Sequence, residues 1–155
     1  MNSRRSVGAL AYLGLWSVVL IGCRTMPPRD GLVQPVVGAW LISIPEAPFQ
    51  YHVIIFHADG TLIQSNPDAG DPRTSDSNGM GAWVLDGDHI AGTLVEVTAD
   101  RSTHKFVSRG EISFSVCVQG DNMRGSGSAH FFDVNGTPGE GPIAFTLSGF
   151  RIHAK

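Results

Sequence analysis

One histidine, one aspartate and four aromatic residues have types and positions suited to a small-ligand site. Alternation along the predicted strands turns their side chains toward the interior of the fold, near one of its ends. Apolar walls with one or two polar groups at the rim suit a small hydrophobic ligand that carries a polar group. The predicted ligand-binding residues are His52, Trp83, Phe106, Phe131, Asp133 and Phe145.

The same residues leave two other functions open. In an enzyme of the cyclase or isomerase type, His52 could act as the general base and Asp133 could orient it. In a structural protein, side chains fill the interior, His52 and Asp133 are solvated at the rim, and the outer surface makes the contacts. We assign no catalytic residue. A cavity on the order of a few hundred Å³ would favour the ligand-binding protein or the enzyme over the structural protein.

Metal, cofactor and nucleic-acid chemistry are not predicted. The six histidines are scattered, without a His-x-His or His-Glu-x-x-His spacing. Loop 64–79 contains three aspartates but no regular calcium-binding ladder, and we expect it to be a solvated, mobile lid. Without Arg4 and Arg5, which lie in the predicted signal peptide, the chain has 9 basic and 14 acidic residues and a net charge of −5. This balance argues against a nucleic-acid-binding face.

The first 23 residues follow the pattern of an export signal. Arg4 and Arg5 form a positive n-region, an apolar stretch runs from Val7 to Ile21, and the small residue Gly22 precedes Cys23. This stretch is shorter than the roughly 20 apolar residues of a transmembrane helix, and a Pro-rich segment follows it instead of a charged stop-transfer flank. We therefore predict a cleaved signal peptide.

The segment Leu20-Ile21-Gly22-Cys23 resembles the lipobox of bacterial lipoproteins. The resemblance implies that Cys23 carries diacylglycerol and becomes the acylated amino terminus of the mature chain. The membrane is then a partner through this lipid, and Cys117 is left as an inert thiol. Arg24 stands where an inner-membrane retention signal has aspartate, which favours the periplasmic side of the outer membrane.

Short runs of alternating polarity predict an all-β fold. The pattern is clearest from Gly110 to Val118, where the even residues are apolar except for Gly110 itself. Nineteen glycines and nine prolines favour strands joined by turns. Eight such strands in a meander can close into an antiparallel up-and-down β-barrel. They lie near residues 36–43, 51–57, 61–65, 80–85, 89–98, 110–118, 123–131 and 143–151.

The connections between these strands fall into two sets. Tight turns are predicted at 59–60, 86–88 and 119–122, where glycine is available for φ > 0. Mostly longer loops cover 44–50, 64–79, 99–103 and 135–141. In a meander the two sets lie at opposite ends, here named the tight-turn end and the loop end. A ligand would enter at the loop end.

Gly38-Ala39-Trp40, together with Arg151 in the last strand, resembles the calycin signature of lipocalins. With the segments 56–61, 81–83 and 149–152, the chain is similar to compact bacterial lipocalin-like proteins over residues 36–153. The resemblance implies that Trp40 packs under Arg151 and closes the barrel. The chain departs from typical lipocalins in having no helix after the last strand and no Thr-Asp-Tyr motif.

These features predict three segments: a lipoprotein signal peptide at 1–22, a lipidated tether at 23–35, and a lipocalin-like β-barrel domain at 36–155. The function they favour is that of a lipid-anchored envelope barrel that binds a small hydrophobic ligand.

We expect Cys23→Ser to release the processed protein from the membrane, because nothing else in the sequence explains an anchor after cleavage. Cell fractionation with immunoblotting measures this, and Cys117→Ser, which should stay in the membrane fraction, is the control. A processed Cys23→Ser protein that remains in the membrane would contradict the lipoprotein prediction.

Overall fold

The computed structural model describes residues 34–65 and 71–155. The predicted signal peptide, Cys23 and most of the tether lie outside the described residues. Within these ranges no helix is long and apolar enough to cross a membrane. The nine strands are β1 (Gly38–Ser43), β2 (Tyr51–Phe56), β3 (Thr61–Ser65), β4 (Thr74–Asp76), β5 (Gly79–Asp86), β6 (His89–Asp100), β7 (Phe106–Gln119), β8 (Asn122–Phe132) and β9 (Ile143–Arg151).

Eight of the strands form a closed antiparallel barrel, as the sequence predicts. Their order around the barrel is β1, β2, β3, β5, β6, β7, β8 and β9, and β9 pairs again with β1. Closure removes the exposed strand edges that an open sheet would present to other chains.

The segment expected to be a mobile lid contains the short strand β4. Its residues pair with Thr98, Ala99 and Asp100 at the end of β6. The Ser77 N–H donates to the carbonyl of Val97, and the Val97 N–H donates to Ser77 Oγ. The strand pairing and these hydrogen bonds make residues 74–78 a continuation of the barrel wall at the loop end, so this part of the segment is not a free lid.

Alternation and turn chemistry account for the strands and their connections. On β2, His52, Ile54 and Phe56 are buried while their neighbours are more exposed. The β5–β6 and β7–β8 hairpins turn at Gly87 (φ 64°) and Gly120 (φ 59°), a conformation that side chains with a Cβ rarely adopt. Local sequence therefore determines which side chains of a strand face the core and where the chain reverses direction.

Large and small side chains alternate across the interior. A Cβ placed on Gly92 would lie 2.3 Å from Phe114 Cζ, and one placed on Gly127 would lie 2.4 Å from Phe145 Cζ. Each ring occupies the space that a side chain on the neighbouring strand would need. The rings of Phe114 and Phe56 meet edge to face, with centroids 6.0 Å apart. The barrel thus holds a packed core.

Arg151 and Trp40 close the tight-turn end. They are register partners on β9 and β1, and the guanidinium carbon lies 4.3 Å from the Trp40 ring centroid. Arg151 Nη1 donates to the carbonyl of Val37 over 2.7 Å, and Nη2 donates to the carbonyl of Pro35. The Trp40 indole N–H donates to Val36 over 2.7 Å. One cation thus joins the last strand to the segment that leads into the first.

Arg151→Ala should lower the free energy of unfolding by about 2–3 kcal/mol, because it removes a cation–π contact and charged hydrogen bonds at once. Urea denaturation measures this. Arg124→Ala on β8, where the side chain is exposed, is the matched control and should change stability by less than about 0.5 kcal/mol. Equal effects of the two substitutions would show that the guanidinium does not hold the barrel closed.

Candidate functional site

His52 lies inside the barrel near the loop end. It is the register partner of Ile42, and its side chain is 5% exposed. Neither ring nitrogen has a hydrogen-bond partner among the described residues, and the Phe49 ring lies over it at 5.0 Å. Burial lowers the pKa of His52, and the backbone at Phe49, which acts in the opposite direction, does not offset this. The imidazole is therefore neutral and keeps an unused donor and an unused acceptor.

Phe145 and Phe131 lie on the inner wall of β9 and β8. Phe145 is buried against Gly127 in the middle of the wall. Phe131 lies nearer the loop end, opposite Gly110, and is 40% exposed. The two rings lie at the boundary between the packed core and the opening of the barrel at the loop end, here named the mouth.

Trp83 is at the other end of the barrel from the predicted mouth. Its indole N–H donates to the carbonyl of His57, and its backbone N–H donates to Gly60 in the β2–β3 turn. The reason is strand direction: β5 starts at the loop end with Gly79 and finishes at the tight-turn end, so Trp83 lies past its middle. Its edge-to-face contact with Phe56 makes it part of the core.

Asp133 organises the turn that follows β8. Its Oδ1 accepts hydrogen bonds from the backbone N–H groups of Asn135 and Thr137, each over 2.8 Å. These donors, Thr137 foremost, lower the pKa of the carboxyl. The side chain is exposed, and no hydrogen bond joins it to His52. The base-and-orienting-carboxylate pair that an enzyme would need is therefore not assembled.

Phe106 is exposed at the start of β7. The β6–β7 register shifts between Thr98 and Ala99, so that Ala99 pairs with Phe106 while Thr98 pairs with Ser108. Strand parity counted from the regular part of β7 does not carry across such a bulge. Whether Phe106 and the other predicted residues bind a ligand stays a prediction.

Glu96 is the mouth residue that we did not predict. It shares the inner face of β6 with Leu94, and burial together with the negative charge of Asp76 raises its pKa to about 7. A Cβ on Gly110 would lie 3.2 Å from Glu96 Cγ and 3.0 Å from Phe131 Cε1, so the two side chains meet over this glycine. The same parity that selected His52 would have found Glu96, as it would Gln64, which is buried on β3.

Below the mouth, the interior is filled. The cavity inside the barrel measures about 20 Å³ and is lined by twelve side chains from seven strands and from the start of loop 44–50. A void of this size holds about one water molecule. A ligand-binding protein or an enzyme would need a cavity on the order of a few hundred Å³. The small volume therefore favours a structural protein with a filled core.

Cys117 lies on β7 and is half-buried. The one other cysteine of the chain, Cys23, lies outside the described residues. In residues 34–65 and 71–155, no group of three or more His, Cys, Asp or Glu side chains is arranged to hold a metal ion.

Comparison with known proteins does not assign the chain to a family. No protein-family model matches it, and no curated protein matches its sequence. The crystal structure of Rv2717c from M. tuberculosis is similar at a TM-score of 0.38 and 15% sequence identity, covering 77% of this chain and 94% of that chain. We infer nothing about this chain from a similarity of that size.

Glu96→Gln should stabilise the protein at high pH and leave it unchanged near pH 4.5. Because the folded-state pKa of Glu96 is raised to about 7, folding favours the protonated carboxyl. Stability is therefore lost as the pH rises from about 4.5 to 7, and it stays low above that range. We expect a difference of about 1–2 kcal/mol at pH 8, after allowance for solvent screening.

Urea denaturation of both proteins between pH 4.5 and 8 measures this difference. Asp76→Asn, which removes the neighbouring negative charge, should move the pH range of the loss downward. Parallel pH profiles for Glu96→Gln and the unmodified protein would contradict the buried, protonated carboxyl.

Proposed function

We propose that this protein is a lipid-anchored module of the bacterial envelope whose filled barrel is a scaffold with its functional contacts on the outside. The observation that carries the proposal is the interior void of about 20 Å³. Sites for small ligands measure roughly 300–1,000 Å³ and enclose most of the ligand. A barrel packed to this degree supports surface contacts better than storage or transport of a molecule.

The way the chain enters the barrel supports an anchor at the tight-turn end. Val36 is fully buried, and Arg151 donates hydrogen bonds to the carbonyls of Pro35 and Val37, which holds the start of the domain at this end of the barrel. A tether over residues 23–35 reaches at most about 40 Å. A lipid on Cys23 would therefore hold the tight-turn end toward the membrane and leave the loop end facing away.

A second candidate function is the binding of a small hydrophobic ligand at the mouth. It is favoured by the inner wall at the mouth, where Phe131 is 40% exposed and Ile143 is 53% exposed. Further into the barrel, the inward-facing residues of the same two strands are more buried. Ile112 and Ala129 continue this surface through direct register pairs. Glu96, which is half protonated near neutral pH, and the unpartnered His52 would supply the polar contacts of such a site.

Native mass spectrometry of the protein purified from its host tests the two functions against each other. We expect the mass of the mature chain with no retained small molecule, because the interior has no room for one. A retained ligand that is lost in Ile143→Asp and kept in Phe150→Asp would overturn the scaffold proposal and favour the mouth. These two substitutions are matched, since both positions are exposed on β9, one on the inner and one on the outer wall.

A further inference from the structure

The loop between β1 and β2 folds over His52. The Ile44 N–H donates to the carbonyl of Gln50 over 2.8 Å, which joins the two ends of this loop. Between them, the centroid of the Phe49 ring lies 5.0 Å from that of the His52 ring, and the two ring planes are tilted by 53°. Residues 44–50 are therefore named the cover loop.

A carboxylate fastens the cover loop to the barrel wall. Glu46 Oε1 accepts hydrogen bonds from the backbone N–H and the hydroxyl of Thr146 on β9, over 3.2 and 2.9 Å. These donors, the hydroxyl foremost, lower the pKa of the Glu46 carboxyl, so it keeps its charge in mildly acidic solution. Because Glu46 is exposed, water can replace both bonds, and the loop can lift without unfolding the barrel.

The closed cover loop leaves the imidazole of His52 in an unfavourable environment. The side chain is 5% exposed, and both ring nitrogens are shielded from solvent without a hydrogen bond to any described residue. Buried polar groups in proteins are nearly always paired, because an unpaired one has lost its bonds to water without replacement. Opening of the loop would let water satisfy both nitrogens.

A proton on His52 makes the closed loop much less favourable. Burial lowers the pKa of His52 below its ordinary value of 6.5, and the backbone of Phe49, which favours the charged form, does not offset this. The Phe49 ring also attracts a cation at this distance, but such a contact is weaker than the cost of burying an ion without a counter-charge. The imidazolium is therefore most stable when the loop is open and water reaches it.

Among the described residues, no carboxylate contacts His52 to hold an imidazolium in the closed form. Its neighbours on β1 and β3, Ile42 and Gln64, are uncharged. In the cover loop, Glu46 is bonded to the outer wall. Glu96 faces the interior from β6, three strands further around the barrel, and its raised pKa of about 7 makes it largely protonated in the same acidic range.

We propose that protonation of His52 opens the cover loop, which makes residues 44–50 an acid-sensitive gate at the mouth of the barrel. The inference goes beyond the proposed function, because the gate moves one connection and leaves the filled barrel and its outer contacts in place. The open form binds one proton more than the closed form. The equilibrium constant for opening therefore rises up to about tenfold for each pH unit below 6.5, until His52 is protonated in the closed form as well.

Hydrogen exchange of the full mature chain in detergent, followed by mass spectrometry between pH 7.5 and 5, tests the gate. The readout is the protection of the peptide that spans the cover loop, where the N–H groups of Ile44 and Ala47 are hydrogen-bonded within the loop. Rates are corrected for the pH dependence of intrinsic exchange. We expect opening to increase on acidification while β7 and β8 stay protected, and His52→Leu should abolish the increase.

Matched variants separate the proton from the fastening. Thr146→Val removes the hydroxyl bond to Glu46, so it should increase opening by the same factor at every pH and leave the pH dependence unchanged. His130→Leu on β8 removes a histidine outside the site and should behave as the unmodified protein does. Glu96→Gln, and Asp68→Asn outside the described residues, remove other acidic groups and should also keep the pH dependence.

Each other outcome overturns the gate. Unchanged protection of residues 44–50 on acidification shows that the loop does not respond to a proton. A response that survives His52→Leu, or that is lost in Glu96→Gln or Asp68→Asn, assigns it to another group. Loss of protection throughout β7 and β8 shows that acid unfolds the barrel instead. Urea midpoints at pH 7.5 establish that the variants fold, and His52→Gln, also neutral over this range, replaces His52→Leu if that variant does not.

Discussion

The pairing of β9 with β1 is the constraint on which the rest of the structure depends. It turns eight strands into a barrel, and Arg151 reinforces it by stacking on Trp40 and donating to carbonyls 114 residues or more away in the chain. Asp121 in the β7–β8 turn adds an ion pair to the same guanidinium at 3.2 Å. The residues before β1, the last strand and a hairpin turn are thus joined through one side chain. An unclosed sheet would expose both its edges and its apolar inner face to water.

Closure with eight strands also sets the internal volume. A barrel of this size is just wide enough for side chains to meet across it, and here Phe114 and Phe145 occupy the spaces left by Gly92 and Gly127. Side-chain packing therefore fills the interior, and the buried polar residues of the described ranges, His52 and Gln64, lie toward the loop end. There, His52 has no partner among the described residues, and Glu96 is held near Phe131 with a pKa raised to about 7. Burying a polar group in this way is less favourable for folding than burying an apolar side chain of similar size.

The same alternation that fills the core determines the outer surface. Each strand shows every second residue to the outside, and on β1, β2, β3, β5 and β6 these residues are uncharged, whereas β7 and β8 carry Arg109, Glu111 and Arg124. The barrel thus has two chemically different sides. A filled interior leaves these sides and the mouth as the surfaces through which the protein can act.

The sequence by itself determined the all-β class, the eight barrel strands and the tight turns, because alternation and glycine-containing turns are local properties of the chain. Parity placed His52 and Phe145 inside correctly. Only the tertiary structure decided that Trp83 belongs to the tight-turn end, that a bulge shifts the register at Phe106, and that Asp133 caps its own turn. It also decided that the interior is filled and that Glu96 faces it. Cavity volume, burial and pKa depend on which side chains from distant strands share a space, and no single segment of sequence contains that information.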